Sequence, residues 1–252
     1  MRRNAILGPV LSCLAFLVPS IASAIRTGDL VVIIPVIGRV PGAFGSQWRT
    51  DVFVANHSSV TKTVTLTFYP AGSAPIVRTA PLAPFSTASF PDVVLNTFGL
   101  TAGLGELEVE SSNQSTIEAR ARIYNSGSGA GEFGQNVQGF GRSLLSRQAF
   151  VYGLSGIGGN RVHVGITNPN AEAVTVSVRV ADRNNTTLAS DTITVQPHQN
   201  LQFDVFDRFS IAPQADVQVD MNTAEPLIYG YASEVRNDSG DAVFSFGTSP
   251  NS

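Results

Sequence analysis

The sequence repeats itself, and that repetition limits the fold more than any other feature. Trp48-Arg-Thr-Asp-Val-Phe-Val-Ala-Asn56 falls on Asn160-Arg-Val-His-Val-Gly-Ile-Thr-Asn168, with Arg49 on Arg161, Val52 on Val164 and Asn56 on Asn168. Further along, Thr63–Phe68 matches Ala173–Val178, Pro84 matches Pro197, Phe90 matches Phe203, Phe98 matches Phe209, Val109 matches Val219 and Asn125 matches Asn237. The offset stays between 110 and 113 residues throughout. Order and spacing kept over that length identify a tandem duplication, in which each copy folds by the same rules.

Within each copy the hydrophobic period is two. Val64, Leu66 and Phe68 alternate with Thr65 and Thr67, and Val174, Val176, Val178 and Val180 alternate with Thr175, Ser177 and Arg179. That pattern belongs to strands with one buried face. Val, Ile and Thr make up about a quarter of the chain, the β-branched bias of sheet proteins. Turn clusters at His57-Ser58-Ser59, Pro70–Ser73, Asn168–Asn170 and Asp182–Asn185 break the runs. One helical element recurs. Residues 91–99 carry Asp92 as a candidate N-cap and Gly99 as a stop, and Asp204–Phe209 has the same length and aromatic close. Each is expected to plug one end of its unit. Residues 126–146 open as a Gly/Ser turn and then resemble Asp241–Gly247, so they are expected to supply the last strand of the first copy. The expected fold is all-β: two tandem antiparallel immunoglobulin-like β-sandwich domains, 25–142 and 143–252, each with one short helix.

The N-terminus has its own logic. Arg2 and Arg3 precede an uncharged run from Ala5 to Ile21, followed by Ala22-Ser23-Ala24. A basic start, an apolar stretch and a small-x-small end describe a signal peptide over residues 1–24. No other stretch approaches the roughly 18 apolar residues of a spanning helix. Cys13, the only cysteine, falls inside the signal, so the exported chain has no disulfide. Val10-Leu11-Ser12-Cys13 also reads as a lipoprotein cleavage box, but the apolar run continues through Phe16-Leu17-Val18, for which a lipidated terminus has no need. Losing Arg2 and Arg3 moves the net charge from −3 to −5, which offers nothing to nucleic acid. The skew of 15 arginines to one lysine, Lys62, is read as genomic composition.

The Trp-Arg-Thr-Asp strand at 48–51, the Ala-Arg-Ile-Tyr-Asn strand end at 121–125 and Glu-Phe-Gly-Gln at 132–135, in duplicate after a signal peptide, carry a resemblance. The mature chain resembles exported bacterial proteins with tandem immunoglobulin-like or fibronectin-like sandwich repeats. That resemblance implies a fold and an extracytoplasmic setting, and neither a reaction nor site residues.

Catalytic machinery is sparse. Gly153-Leu-Ser-Gly-Ile157 fails the Gly-x-Ser-x-Gly elbow at its last position, and phosphate-cradling glycine motifs are missing. His57, His163 and His198 lack the short spacing of a zinc site, and none recurs in both copies. No cofactor or metal is expected. Asp182–Thr186 and Asn237–Asp241 offer clustered oxygens for calcium, but Asx-rich hairpin turns account for both. Glu106, Glu108 and Glu110 share one face of a strand, about 7 Å apart in sequence-neighbouring pairs by the strand rise, a separation that inverting glycosidases use. The simpler expectation sets them against Arg120 and Arg122 of the next strand as cross-strand ion pairs. In the second copy the matching face holds Asp216, Gln218 and Asp220, with Glu234 and Arg236 opposite. Trp48 and Phe53 have opposite parity on one strand, so one of them is expected to face outward as part of a binding surface.

The expectation is a secreted, non-enzymatic protein for binding, adhesion or envelope structure, with Trp48, Phe53, Glu106, Glu108 and Glu110 as candidate binding residues. An extracellular polysaccharide or an envelope protein is the expected partner. Two alternatives belong to other classes: a polysaccharide hydrolase using the acidic face, and an assembly subunit pairing through Leu30–Val36 as an edge strand. Pro35 limits that pairing, and the simpler reading of the segment is the first strand of the first copy.

Overall fold

The computed structural model describes residues 30–112, 116–127 and 132–249, and the expected signal 1–24 with Cys13 lies outside them. In the first half the chain runs β1 (Val31–Pro41), β2 (Gln47–Asn56), β3 (Lys62–Pro70), β4 (Ile76–Leu82), β5 (Ser86–Phe90), α1 (Val93–Asn96), β6 (Gly103–Ser111), β7 (Glu118–Asn125) and β8 (Phe133–Gln138). The second half runs β9 (Gln148–Leu154), β10 (Asn160–Asn168), β11 (Val174–Ala181), β12 (Thr187–Val195), β13 (Gln199–Asp204), α2 (Val205–Phe209), β14 (Val217–Asn222), β15 (Tyr229–Arg236) and β16 (Ala242–Phe246). Among the described residues no helix is long and apolar enough to cross a membrane.

The protein is all-β, and its strands pair antiparallel. Strand order repeats element for element. The first half has β4-β3-β6-β1 facing β5-β2-β7-β8, and the second has β12-β11-β14-β9 facing β13-β10-β15-β16. In the first half the two leaves run into each other through β1, which pairs with β6 along Val31–Arg39 and with β2 at Val40 and Pro41. The period-two positions point where the pattern placed them. Val64, Leu66 and Phe68 are buried against Val52, Val54, Ala119 and Ala121, and Val174, Val176 and Val178 have the same role in the second core. Burial of each such side chain contributes about 1.5–3 kcal/mol. That burial, rather than helix propensity, carries α1 and α2, which are too short to persist alone and are anchored by buried Val93, Val94, Val205 and Phe206.

The duplication extends to polar detail. Asn56 is buried at the end of β2, donates to the carbonyls of Val60, Leu82 and Ala83, and accepts from the Ser58 amide. Asn168 repeats this at the end of β10 with Glu172, Val195, Gln196 and the Asn170 amide. A side chain carrying both donor and acceptor closes two backbone turns that a hydrophobic residue would leave unsatisfied. The helix caps, by contrast, have diverged. Asp204 accepts from the amides of Phe206 and Asp207, as an N-cap does. Asp92 does not cap α1 as expected. It sits left-handed at φ 38° without a capping bond, and its carboxylate lies 2.6 Å from Arg39 and 3.8 Å from Arg49. Gly99 does end its helix, at φ 76° with its amide on Leu95.

Leu30–Val36 enters the first strand of the first half, the simpler of its two readings, and the alternative of a free edge is overturned. Residues Val32–Ile37 are all buried, β6 pairs along one side, and Phe140 bridges Ile33 on the other. Burial on both faces explains why this segment reads as a continuous apolar run. Its outer side meets the second half. Phe140 stacks on Tyr229 at 3.8 Å, and Thr167 donates to the Pro35 carbonyl. Tyr231 is fully buried within the core cluster of the first half. Gly165 makes this possible, since a Cβ there would lie 2.0 Å from the Tyr231 ring. The Tyr231 hydroxyl is held by Asn200, which also donates to Thr167.

Candidate binding cleft between the halves

A cleft of about 320 Å³ opens where the first sandwich meets β10, β13 and β15. Its floor comes from Val36, Val40, Leu104 and Ile123 of the first half, and the second half contributes Tyr231 and Val235. Polar side chains reach it from Gln135, Arg161, His163, Gln202 and Ser233.

Trp48 forms one wall. It shares the inward parity of Thr50, Val52 and Val54, but stands at the end of β2, beyond the packed interior. The preceding turn aims it. Gly42 donates to the Ser46 carbonyl, and a Cβ at position 42 would lie 2.3 Å from Ser46 Oγ and 2.5 Å from Trp48 Nε1. Only glycine leaves the indole its place. Phe53 has the opposite parity and faces outward, with the Arg120 guanidinium 4.6 Å above its ring. Tyr124 on the same outer face is covered likewise by Arg122. Of the two candidate aromatics, the structure therefore brings Trp48 to the cleft and leaves Phe53 on the outer face of the same leaf.

Arg161 is the cation of the cleft. One of its nitrogens donates to Asn237 Oδ1 at 2.7 Å. Burial lowers its pKa, with Asp204 acting in the opposite sense, and the guanidinium stays charged. Burial also lowers the pKa of His163, outweighing Asp204, so the imidazole is neutral at pH 7. A neutral imidazole beside glutamines and a serine offers hydrogen bonds of both senses.

The three glutamates lie elsewhere and meet three fates. Glu106 is sealed under the second half, with its Oε1 3.8 Å from His198 Nδ1, and among the described residues neither of its oxygens nor that nitrogen finds a hydrogen-bond partner. Burial pushes its carboxyl above the usual range, the neighbouring Glu108 adds to the shift, and His198 opposes it. Glu108 receives Arg142 at 2.5 Å and the Tyr69 hydroxyl at 3.2 Å. The Tyr69 phenol is pushed up to about 12 by burial and by Glu108. Glu110 is exposed. The expected pairing of these glutamates with Arg120 and Arg122 is overturned. β6 hydrogen-bonds to β1 and β3, whereas β7 lies in the other leaf beside β2 and β8. Arg122 instead meets Glu132 at 3.0 Å. In the second half Asp220 likewise takes Arg179 of its true neighbour β11 at 2.6 Å, not Arg236.

The Asx-rich segments are turns. Asp182 accepts from the amides of Asn184 and Thr186, and Asp238 pairs with Arg236. Among the described residues no group of three or more His, Cys, Asp or Glu side chains is arranged to hold a metal. Sequence reasoning missed Arg161, Gln135, Gln202, Tyr231 and Ser233 as lining residues. The available signal was the shared parity of Arg161, His163 and Gly165, a polar strip on β10 that ends in a position without a side chain.

No protein-family model matches the chain, and no curated protein is similar to it in sequence. Among solved structures, the chain is similar to "Thermotoga maritima 1070", at 14% identity and a TM-score of 0.36, over 45% of this chain and 94% of that one. It also overlaps a glycosyl hydrolase family 2 member from Bacteroides cellulosilyticus, at 9% identity and a TM-score of 0.17, over 80% of this chain and 28% of that one. A β-glucuronidase from glycoside hydrolase family 2 gives 12% identity and a TM-score of 0.15, over 83% of this chain and 24% of that one. The chain spans about a quarter of those two hydrolases, and overlap of this quality bears on neither fold nor activity.

Proposed function

We propose that the chain is an exported, non-enzymatic binding protein that receives a small ligand, or one end of a larger one, in the cleft between its halves. The supporting observation is the lining: aliphatic and aromatic walls with a few convergent polar side chains around a space of about 320 Å³, the make-up of a ligand site. A polysaccharide or an envelope protein would meet it through a chain end or a side chain. The acidic strand face gives hydrolysis little to work with, because Glu106 has no access to solvent and Glu108 is neutralised by Arg142.

The test uses a property of the sequence. Trp48 is the only tryptophan, so the emission of the intact chain reports on this cleft. Titration with a panel of oligosaccharides, peptides and small amphiphiles is expected to shift that emission saturably for at least one class. A panel that changes neither emission nor Tm overturns the cleft reading. Release of reducing ends from a polysaccharide, lost in Glu108→Gln, overturns the non-enzymatic one.

A further inference from the structure

The duplication places two equivalent arginines in two electrostatic settings. Arg49 and Arg161 occupy the same position at the start of β2 and β10. Arg49 lies 3.8 Å from Asp92, whose carboxylate it shares with Arg39, so it has an acid within ion-pair distance. The equivalent acid beside Arg161 is Asp204, but its Oδ1 is engaged by two amides at the start of α2. Among the described residues no carboxylate comes within ion-pair distance of Arg161, which donates instead to the neutral Asn237. Arg161 lines the cleft, where no Asp or Glu side chain is found, and its guanidinium stands at the border with a small neighbouring pocket formed with Asn237 and Asp238.

We infer that the cleft selects a small amphiphilic carboxylate, with Arg161 binding its anionic head and Trp48 with the aliphatic floor covering an apolar body. This rests on the cleft being the binding site. Two features of the lining carry the class. The one formal charge is positive and partly withdrawn from water, where it favours an anion more than at the surface. The floor of Val36, Val40, Leu104 and Ile123 has no side-chain hydrogen-bonding group, so a hydroxyl facing it would lose water without replacement. A densely hydroxylated ligand is thereby disfavoured against one whose polar group is confined to an end. Gln135 and Gln202 also line the cleft, and their amide groups are neutral donors for the second carboxylate oxygen, while the Ser233 hydroxyl is already given to Gln135 Oε1.

Matched probes test the head group. Titrating 4-phenylbutyrate and its neutral amide, 4-phenylbutanamide, at pH 7 into the intact chain and following Trp48 emission is expected to show about ten-fold tighter binding of the acid, the scale of one charge-assisted hydrogen bond. Arg161→Gln should bring the two probes within about two-fold, whereas Arg161→Lys should retain most of the preference. Unchanged circular dichroism and Tm in both variants separate recognition from folding. Equal affinity of acid and amide for the native chain overturns the anion assignment while leaving cleft binding intact. Persistence of the preference in Arg161→Gln overturns the role of Arg161. Failure of both probes, together with a silent ligand panel, overturns the cleft reading itself.

Discussion

Glu106, Glu108 and Glu110 show how little residue type decides without a partner. They share one strand and one face, and only Glu106 is fully buried, with both oxygens unpaired among the described residues. The groups facing it are Glu108 on its own strand, Tyr69 of β3, Arg142 and His198. Tyr69 and His198 stack at 4.1 Å and help close the lid of protein above it. Burial is the largest influence on Glu106 and raises its pKa in the folded state. The sign follows: a raised folded-state pKa means the native protein holds this proton more tightly than the unfolded chain does. The stabilisation is complete below the ordinary carboxylate range and is lost as pH rises through the raised value. Glu106→Gln removes the ionisable proton and keeps the shape. We expect it to flatten the decline of Tm above that range, and to stabilise the protein at pH 8 by about 1 kcal/mol, the scale of one buried group relieved of its penalty. Urea denaturation of both proteins at pH 5 and pH 8 checks this. A Glu106→Gln protein less stable than the native one at pH 8 would show that the ionised form is well accommodated.

At the scale of elements, alternation made most strands legible, because each faces a core on one side only. Val64–Phe68 and Val174–Val180 needed nothing beyond period two. What alternation cannot supply is the neighbour. Glu108 and Arg120 do have outward parity, but parity names a face and not a sheet, and the chain crosses from one leaf to the other between β6 and β7. The same limit applies to β1, whose apolar run marks a first strand but does not say that it is buried on both sides. The cleft was half visible: Trp48 stood out as the only tryptophan, whereas Arg161 and Gln202 gain meaning only after the halves pack. The turn between β1 and β2 is the element that positions the indole. Gly42→Ala places a methyl 2.5 Å from Trp48 Nε1, so the ring or the turn must move. The expected outcome is a shifted emission maximum, weaker binding of any cleft ligand, and a stability loss of about 1–3 kcal/mol, the range for overpacking. Unaltered emission in Gly42→Ala would mean that the turn yields and the indole is not fixed by it.

For the whole molecule, the question is whether two halves with the same strand order behave as one. Their cores are distinct clusters, but Tyr229 and Tyr231 of β15 belong to the first. The contact between them combines the Phe140–Tyr229 stack, the Thr167–Pro35 hydrogen bond and the Ser233–Gln135 pair. Removing the second half would uncover Glu106, Phe140 and the outer side of β1 together. That is a large apolar exposure for the first half to tolerate alone, and it predicts a single unfolding unit. Leu154→Ala offers a lesion confined to the second core, where the side chain is fully buried, at a cost of about 2–5 kcal/mol. Hydrogen exchange then reads the two halves separately, with β11 reporting on the second and β3 on the first. Coupled halves should lose the same protection free energy in both strands, because their slowest amides exchange through a shared opening. Loss in β11 with β3 unchanged would mean that the first half stays folded when the second opens. The cleft would then be assembled by docking of an independent lid, and ligand binding should restore protection to β11 alone.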